Sequence, residues 1–247
     1  MQHPCYAALI RHGDYHHQSD VPGACQPYPL NGNGRQQAQA CALLLAAFSQ
    51  QQGVMIAPEI HVSSLLRAWQ SAKIIAHGLR SSADASAHSD SILVQTPRLV
   101  ERCVGTLANL TVAQIEQVVR DDPRYADLPA GWKSNSHFCL PYPGAESLLQ
   151  AGRRVADYIE QTMQVQQQRY PDGFIQLFIA HGAAFRHAAH HLGVLSLSEV
   201  SQLSMHYARP VFLHRDTSAD AETNEKLRWH HHSGAWKQRS NTTQYTD

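Results

Sequence analysis

The sequence of 247 residues lacks a net charge, because 20 Lys and Arg are balanced by 20 Asp and Glu, and it has no dominant basic run. Proteins that bind nucleic acid present a basic surface, so this balance argues against a nucleic-acid partner. No apolar run approaches the length of a membrane span. The first apolar segment begins within a few residues of Met1, which leaves no room for a signal peptide. We therefore expect a cytoplasmic protein with no membrane partner.

Cysteine is scarce and follows no pattern. The five cysteines are odd in number and lack the paired spacing of metal sites; they are Cys5, Cys25, Cys41, Cys103 and Cys139. Scattered cysteines of this kind are typical of reduced thiols in a cytosolic protein.

Histidine is abundant, and two histidine clusters suggest a metal site as one alternative. His187, His190 and His191 have helical spacing, and 230–232 is a run of three. Neither a His-Glu-x-x-His pattern nor a carboxylate partner accompanies them, so packing or surface exposure is the default expectation. We expect no metal ion and no other cofactor.

The sequence does contain alternating strand and helix patterns. A short apolar run at 6–10, a short extended segment at 59–62 and a nearly unbroken apolar run at 174–180 predict strands, the last of them a central buried one. Predicted helices cover 34–52, 63–80, 146–169 and 182–192, with another beginning near Thr111; further strands are predicted at 208–213 and 226–230. This alternation favours an α/β fold, a three-layer sandwich in which helices flank a mostly parallel sheet.

Arg11, His12 and Gly13 directly follow the first predicted strand. In open α/β sheets ligands bind at the carboxyl ends of strands, and a glycine there lets the backbone approach an oxyanion. Arg11 can offer a rigid fork of donors to phosphate, and a neutral His12 can attack phosphorus. A tripeptide alone is weak evidence, and a histidine that caps a loop is the alternative.

Three other polar residues stand near the end of a predicted strand or near the start of a predicted helix. Arg67 falls in or near the first turn of a predicted helix that Ser63 or Ser64 could cap, where anions are favoured. His181 follows the predicted central strand, and Glu101 lies in a loop that precedes a helix. The alternative for Arg67 and Glu101 is an ordinary solvated surface residue.

In their order, these segments resemble the histidine phosphatase superfamily, also called the phosphoglycerate mutase-like family. The resemblance spans roughly residues 6 to 193. The matching segments are 9–13, 30–34 with Gln37 and Ala38, 63–68 with Gln70 and Ala72, 99–105, 143–147 with Arg154 and Val155, and 180–182.

The resemblance implies a role for each candidate. His12 would be the nucleophile and would carry the phosphoryl group as a phosphohistidine. Arg11, Arg67 and His181 would form the phosphate pocket, with His181 also part of the catalytic set. Glu101 would act as general acid and then as base toward water, and for that role we expect its carboxyl to be partly withdrawn from water. A cationic cradle suffices for phosphoryl transfer without a metal ion.

The sequence departs from the family pattern just after the first segment, where many members carry an asparagine. Gln18 could supply a similar amide, and Asp14 could orient the nucleophile or tune the choice of substrate. Both are therefore candidates for substrate binding.

We expect residues 1–247 to form a single domain. The segment 121–144 contains four prolines and several aromatic residues, which favour an ordered lid where substrate selectivity resides. Residues from about 240 onward are expected to form a loose tail.

The expected function is metal-independent hydrolysis of phosphomonoesters. The sequence leaves open whether the substrate is a phosphorylated small molecule or a phosphoprotein, and it does not indicate the oligomeric state. Two alternatives remain. One is a phosphoglycerate mutase-type transfer, in which the phosphorylated enzyme must persist long enough to return the group. The other is a catalytically silent module that binds a phosphorylated ligand.

Overall fold

The computed structural model describes residues 4–81, 91–216 and 229–239, and all structural statements refer to these ranges. The strands are β1 (Cys5–Arg11), β2 (Met55–Ser63), β3 (Ile92–Thr96), β4 (Phe174–Ala180), β5 (Leu203–Met205), β6 (Val211–Arg215), β7 (Trp229–Ser233) and β8 (Trp236–Gln238). The helices are α1 (Gly32–Gln52), α2 (Leu66–Ser81), α3 (Val112–Asp121), α4 (Leu148–Arg169), α5 (Gly182–His191) and α6 (Leu197–Gln202). Within the described ranges, no helix combines the length and apolar character needed to cross a bilayer.

Six strands form one sheet in the order β3-β2-β4-β1-β6-β7. The strands β3, β2, β4 and β1 pair in parallel, whereas β6 and β7 are antiparallel additions at one edge. β5 and β8 form a separate two-stranded sheet. The prediction of an α/β fold with a mostly parallel central sheet is confirmed.

Helices cover both faces of the sheet, as the predicted three layers require. In β4, Ile175 and Leu177 join the core formed with α1 and α2, while Phe174 and Phe178 join the core formed with α4 and α5. Successive side chains of a strand point to opposite faces, so a strand covered on both sides is mostly apolar. That requirement explains the nearly unbroken apolar run, interrupted only by Gln176, from which the strand was predicted.

Helix α4 begins two residues later than predicted because Ser147 caps it. The Ser147 hydroxyl accepts a hydrogen bond from the Gln150 N–H, and the Gln150 side chain accepts one from the Ser147 N–H. Glu146 stays outside the helix, where both carboxylate oxygens accept from the Arg154 guanidinium at 2.8 Å.

Strand β2 is longer than the four-residue strand predicted. Pro58 stands within it and lacks an N–H, and the register with β4 shifts between Ile56 and Ile60. The buried side chain of Gln176 donates to the Glu59 carbonyl at this irregularity. The interruption concealed the first half of the strand from a search for regular apolar patterns.

Other boundaries also differ from the prediction. α2 begins at Leu66, because Ser63 still belongs to β2. β6 starts at Val211 instead of residue 208, since Ala208 has a left-handed φ of 46° that interrupts extended backbone. Of the strand predicted at 226–230, only the last two residues lie in the described part, in β7, and the predicted tail lies outside it.

The segment 121–144 is anchored by a small core of its own. Trp132 is 3% exposed and packs with Ile115, Val119 and Leu140. Its indole N–H donates to the Glu116 carboxylate at 3.2 Å. Burial of this indole fixes the segment in place, while its action as a lid stays a prediction.

The first turn of α1 touches the backbone that follows β1. A Cβ on Gly34 would lie 1.8 Å from the Asp14 carbonyl oxygen, and a Cβ on Gly13 would lie 2.4 Å from the Gly34 carbonyl oxygen. Only glycine permits so close an approach of two backbones. The position of the segment that contains His12 therefore depends on Gly34.

Replacing Gly34 with Ala should lower the free energy of unfolding by about 3 kcal/mol, because the new methyl group overlaps backbone that cannot move aside. The matched control is Gly32→Ala in the same helix, where a new Cβ meets no atom within 4 Å. That variant should be as stable as the wild type or slightly more stable. Urea unfolding followed by circular dichroism measures both, and equal stabilities would contradict this account.

Candidate active site

Four predicted site residues meet at one edge of the sheet. Arg11 ends β1 and His12 follows it, while His181 follows β4. Since β2, β4 and β1 are adjacent and parallel, their carboxyl ends lie side by side. Arg67 reaches the same point from the first turn of α2, and Ser63 at the end of β2 completes the group.

The hydrogen bonds of His12 determine which of its nitrogens carries the proton. Nδ1 lies 2.7 Å from the Gly13 carbonyl oxygen, which can only accept, so Nδ1 is protonated. Nε2 then holds a lone pair and accepts from the Arg67 Nε–H at 3.2 Å. His12 is 3% exposed, and its backbone N–H donates to the Ala180 carbonyl at 3.0 Å. Nε2 therefore carries the lone pair, and it faces a cation.

Arg67 connects the two histidines. It is buried, and in addition to His12 it donates through Nη2 to His181 Nδ1 at 3.3 Å. Nη1 and Nη2 also donate to the carbonyls of Gln26 and Gly23, at 2.8 and 2.7 Å. Burial lowers the pKa of Arg67, but from a starting value so high that the guanidinium remains charged. These neutral acceptors hold the side chain and leave its charge available to an anion.

His181 is neutral and oriented by Ser63. Because Nδ1 accepts from Arg67, Nε2 carries the proton and donates to the Ser63 hydroxyl at 2.8 Å. Burial lowers the pKa of His181 well below its usual value, and the neighbouring Arg67, His12 and Arg11 lower it further. A bound anion would oppose the effect of these neighbours.

Two tyrosines that the sequence analysis missed enclose the site. The guanidinium of Arg11 lies 4.0 Å from the centroid of the Tyr207 ring, which is itself 5.8 Å from the His12 ring. Tyr15 meets His12 edge to face at 5.2 Å and lies 4.7 Å from the Arg67 guanidinium. Tyr15 follows His12 by only three residues in the sequence, and this short distance could have indicated that it lies at the site. No motif surrounds Tyr207, which arrives from the distant end of the chain.

Glu101 lies against the N-terminus of α5 and is half-buried. Its Oε2 accepts from the Ala183 N–H at 3.1 Å, and its Oε1 accepts from the N–H groups of Ala184 and Arg102, both at 2.9 Å. A carboxylate at this end of a helix also interacts favourably with the helix dipole. The contacts place Glu101 next to the residues that directly follow His181.

Asp14 and Gln18 have other partners in this structure. The Asp14 carboxylate accepts hydrogen bonds from the Asn31 side chain and from the Tyr15 N–H, both at 2.9 Å. The bond with Asn31 connects the segment that follows β1 to the start of α1. Gln18 is exposed, and its side-chain oxygen accepts from the Tyr28 hydroxyl at 3.4 Å. Contact with a substrate stays a prediction for both residues.

The histidine clusters have other contacts. In the described part of the chain, no group of three or more His, Cys, Asp or Glu side chains is arranged so that it could hold a metal ion. His187, His190 and His191 each hydrogen-bond to a backbone carbonyl at 2.8–3.0 Å. Burial lowers the pKa of His187 to about 4, which keeps that ring neutral at physiological pH. The run 230–232 lies exposed on β7.

Two distant cysteines meet near the site. The sulfurs of Cys25 and Cys103 are 3.7 Å apart, and all five cysteines are free thiols. Burial raises the pKa of Cys25 to about 11, so this thiol is protonated at neutral pH. Their spacing in the sequence gave no indication of this contact.

Replacing Arg67 with Lys should weaken the binding of inorganic phosphate about tenfold or more. A lysine keeps the charge but cannot donate to two imidazoles and two carbonyls at once, so the anion pocket loses its geometry. The control is Arg80→Lys, an exposed residue in the last turn of the same helix. Calorimetric titration measures the dissociation constants, and equal affinities for the two variants would show that Arg67 does not bind the anion.

Comparison with protein families supports the resemblance seen in the sequence. The model of the histidine phosphatase superfamily (branch 1) matches residues 7–221. A search of curated proteins found no match.

Solved structures share the fold. A structure titled mycobacterial hydrolase 2 is 19% identical, with a TM-score of 0.67 over 98% of this chain and 94% of that one. A mycobacterial glucosyl-3-phosphoglycerate phosphatase is 19% identical, with a TM-score of 0.63 over 92% and 96%. A phosphoglycerate mutase from Bacillus anthracis is 15% identical, with a TM-score of 0.63 over 86% and 88%. At these identities the likeness shows the fold alone.

Proposed function

The chain belongs to the histidine phosphatase superfamily, branch 1, and on that premise we propose that it hydrolyses phosphomonoesters through a phosphohistidine on His12, without a metal ion. The observation that carries the proposal is the tautomer of His12. Its Nδ1 proton is committed to the Gly13 carbonyl, so the Nε2 lone pair points toward Arg67 within the cationic pocket. A neutral imidazole placed in this way is a nucleophile beside a site for the phosphoryl oxygens.

In the first step, His12 Nε2 attacks phosphorus, and the bond between phosphorus and the ester oxygen breaks. The Arg67 N–H that contacts Nε2 in the free enzyme turns to a phosphoryl oxygen as the substrate binds. Arg11 supplies a second guanidinium, and the phosphate charge favours a protonated His181 that can donate a hydrogen bond. The protein thereby aligns the group and stabilises its charge, which phosphoryl transfer chiefly requires.

Glu101 handles the protons of both steps. As an acid it gives a proton to the leaving oxygen; as a carboxylate it then takes one from the water that attacks the phosphohistidine. The bond between phosphorus and Nε2 breaks, inorganic phosphate leaves and His12 is restored. The three backbone N–H groups that donate to Glu101 fix the position of its side chain beside the start of α5.

Replacing His12 with Ala should lower the rate of para-nitrophenyl phosphate hydrolysis at least ~10³-fold, because no other group can form the intermediate. The wild type should keep its rate in EDTA. The control is His77→Ala, an exposed histidine on α2, which should leave the rate unchanged.

Each other outcome of this assay has a defined meaning. A rate retained by His12→Ala would remove His12 as the nucleophile. Loss of activity in EDTA, restored by zinc, would indicate a metal-dependent hydrolase. An inactive wild type would favour the mutase-type transfer or the silent binding module.

A phosphoglycerate mutase-type transfer is the second candidate, because a mutase shares the fold. It would use the same His12 but return the phosphoryl group to the organic product. Formation of a rearranged phosphoglycerate that strictly requires added bisphosphoglycerate, with little inorganic phosphate released, would support it over hydrolysis.

Replacing Glu101 with Gln should slow alkyl phosphates at least ~10-fold more than para-nitrophenyl phosphate, because nitrophenolate leaves with little help from an acid. Glu160→Gln, on the exposed face of α4, is the matched control and should slow neither ester. Rates measured under single-turnover conditions isolate the first step. Equal losses on both esters would exclude Glu101 as the acid.

A further inference from the structure

Two half-buried thiols from distant parts of the chain are in contact beside the candidate active site. The sulfurs of Cys25 and Cys103 lie 3.7 Å apart, although 78 positions separate the two residues in the sequence. The Gly105 N–H donates to the Cys103 sulfur at 3.3 Å and so helps to orient it. The sulfurs of a disulfide are about 2.05 Å apart, so an approach of about 1.7 Å would bring this pair to bonding distance.

A small oxidant can reach this pair. Ala24 and Arg102, the residues directly before the two cysteines, line the cavity that opens beside Glu101. Both cysteines are themselves half-buried, whereas Cys5 and Cys41 are 3% and 0% exposed. Burial also raises the pKa of those two buried thiols. Because the thiolate is the form that reacts with an oxidant, burial protects Cys5 and Cys41.

Each cysteine of the pair lies in a segment that positions a residue of the candidate site. The carbonyls at both ends of the loop 23–26, which contains Cys25, accept from the Arg67 guanidinium at 2.7 and 2.8 Å. Cys103 follows Glu101 by two residues. A bond between the two sulfurs would therefore join the loop that holds Arg67 to the segment that contains Glu101.

The backbone of Cys103 is held in place by Glu146. The Cys103 carbonyl accepts from the Glu146 N–H at 2.9 Å, and the Cys103 N–H donates to the Glu146 carboxylate at 3.4 Å. Residues 23–26, in contrast, lie outside the helices and strands. We therefore expect the approach of the sulfurs to displace the loop 23–26 and the two carbonyls that hold Arg67. A displacement on the order of 1 Å is enough to impair the alignment of a reacting group.

We propose that Cys25 and Cys103 form a modification site that a hydroperoxide converts to a disulfide, and that this disulfide weakens phosphate binding at the candidate active site. The second part rests on the proposed function, because it takes the pocket around Arg67 as the place where phosphate binds. A disulfide that forms and is reduced again is compatible with cysteines that are otherwise free thiols.

The oxidation proceeds in two steps. The Cys103 thiolate attacks one oxygen of the peroxide, the O–O bond breaks, and the released hydroxide takes up the proton that Cys103 had lost, which leaves a sulfenic acid and water. The Cys25 sulfur then attacks the Cys103 sulfur, and the sulfenic oxygen leaves as water with the Cys25 proton. Two thiols and one hydrogen peroxide thus give one disulfide and two water molecules, as two electrons pass from sulfur to the peroxide oxygens.

The state of Cys25 determines the order of these steps. Burial, together with the neighbouring Cys103, raises the pKa of Cys25 to about 11, so at neutral pH this thiol is protonated and is not the first to react. Once Cys103 is a neutral sulfenic acid, its charge no longer opposes the ionisation of Cys25. Cys103 is therefore oxidised first, and Cys25 completes the disulfide.

The first experiment treats the full chain with hydrogen peroxide at neutral pH and maps the product by mass spectrometry. The mass should fall by two hydrogen atoms, one pair of peptides should be joined through Cys25 and Cys103, and the number of free thiols should fall from five to three. Dithiothreitol should reverse all three changes. Absence of the joined pair, or a disulfide that involves other cysteines, would overturn the proposal.

Substitutions test the assigned order. Cys25→Ser should leave a sulfenic acid on Cys103 that dimedone traps, whereas Cys103→Ser should leave Cys25 unmodified. Cys139→Ser is the matched control, because Cys139 is also a half-buried free thiol, and this variant should form the disulfide as the wild type does. A sulfenic acid trapped on Cys25 in Cys103→Ser would contradict the assigned first step.

Calorimetric titration with inorganic phosphate measures the effect on the site. The oxidised wild type should bind phosphate about tenfold more weakly than the reduced protein, and dithiothreitol should restore the affinity. Cys103→Ser should show the same affinity before and after peroxide. An affinity that is unchanged when the disulfide forms would overturn the proposed effect on the site.

These measurements separate the proposal from the proposed function. Peptide mapping and phosphate titration need no turnover, so a disulfide that forms and weakens phosphate binding supports the proposal even if no ester is hydrolysed. Hydrolysis of para-nitrophenyl phosphate by the reduced protein tests the proposed function alone. A reduced protein that binds no phosphate would contradict both the pocket around Arg67 and the effect proposed for the disulfide.

Discussion

The buried guanidinium of Arg67 is the constraint on which the rest of the site depends. It donates to His12 Nε2 and to His181 Nδ1, so each imidazole must present a lone pair to it and carry its own proton on the opposite nitrogen. The Gly13 carbonyl and the Ser63 hydroxyl receive those two protons. One cation thus defines two tautomers and turns a lone pair of each imidazole toward itself.

The same guanidinium couples the site to the loop that precedes α1. Its remaining hydrogen bonds go to the carbonyls of Gly23 and Gln26, and the end of that loop is held in turn by the bond between Asn31 and Asp14. Neutral carbonyls satisfy the donors but leave the positive charge in place. Burial of such a charge is unfavourable for folding. The close packing of the two apolar faces of the sheet stabilises the fold and offsets this unfavourable free energy.

Much of the fold could be predicted because central strands are apolar on both faces and end abruptly. The run that forms β4 was visible for this reason, and His181 directly after it marked the edge of the sheet. The predicted ends of helices and strands were wrong where a contact beyond the nearest residues sets them. Glu146 fits a helix locally, yet it pairs with Arg154 while Ser147 caps the helix. The hydrogen bond between Asn31 and Asp14 also joins residues 17 positions apart, and the sequence did not indicate it.

The sequence by itself determined which residue types stand at the ends of strands, and so which of them could carry the chemistry. Local periodicity and short motifs carry that information, since each depends on neighbours within a few residues. Tertiary structure alone decided the tautomers of His12 and His181 and the place of Tyr207. These features arise where segments distant in the chain meet, and no local pattern encodes the distance between two such segments.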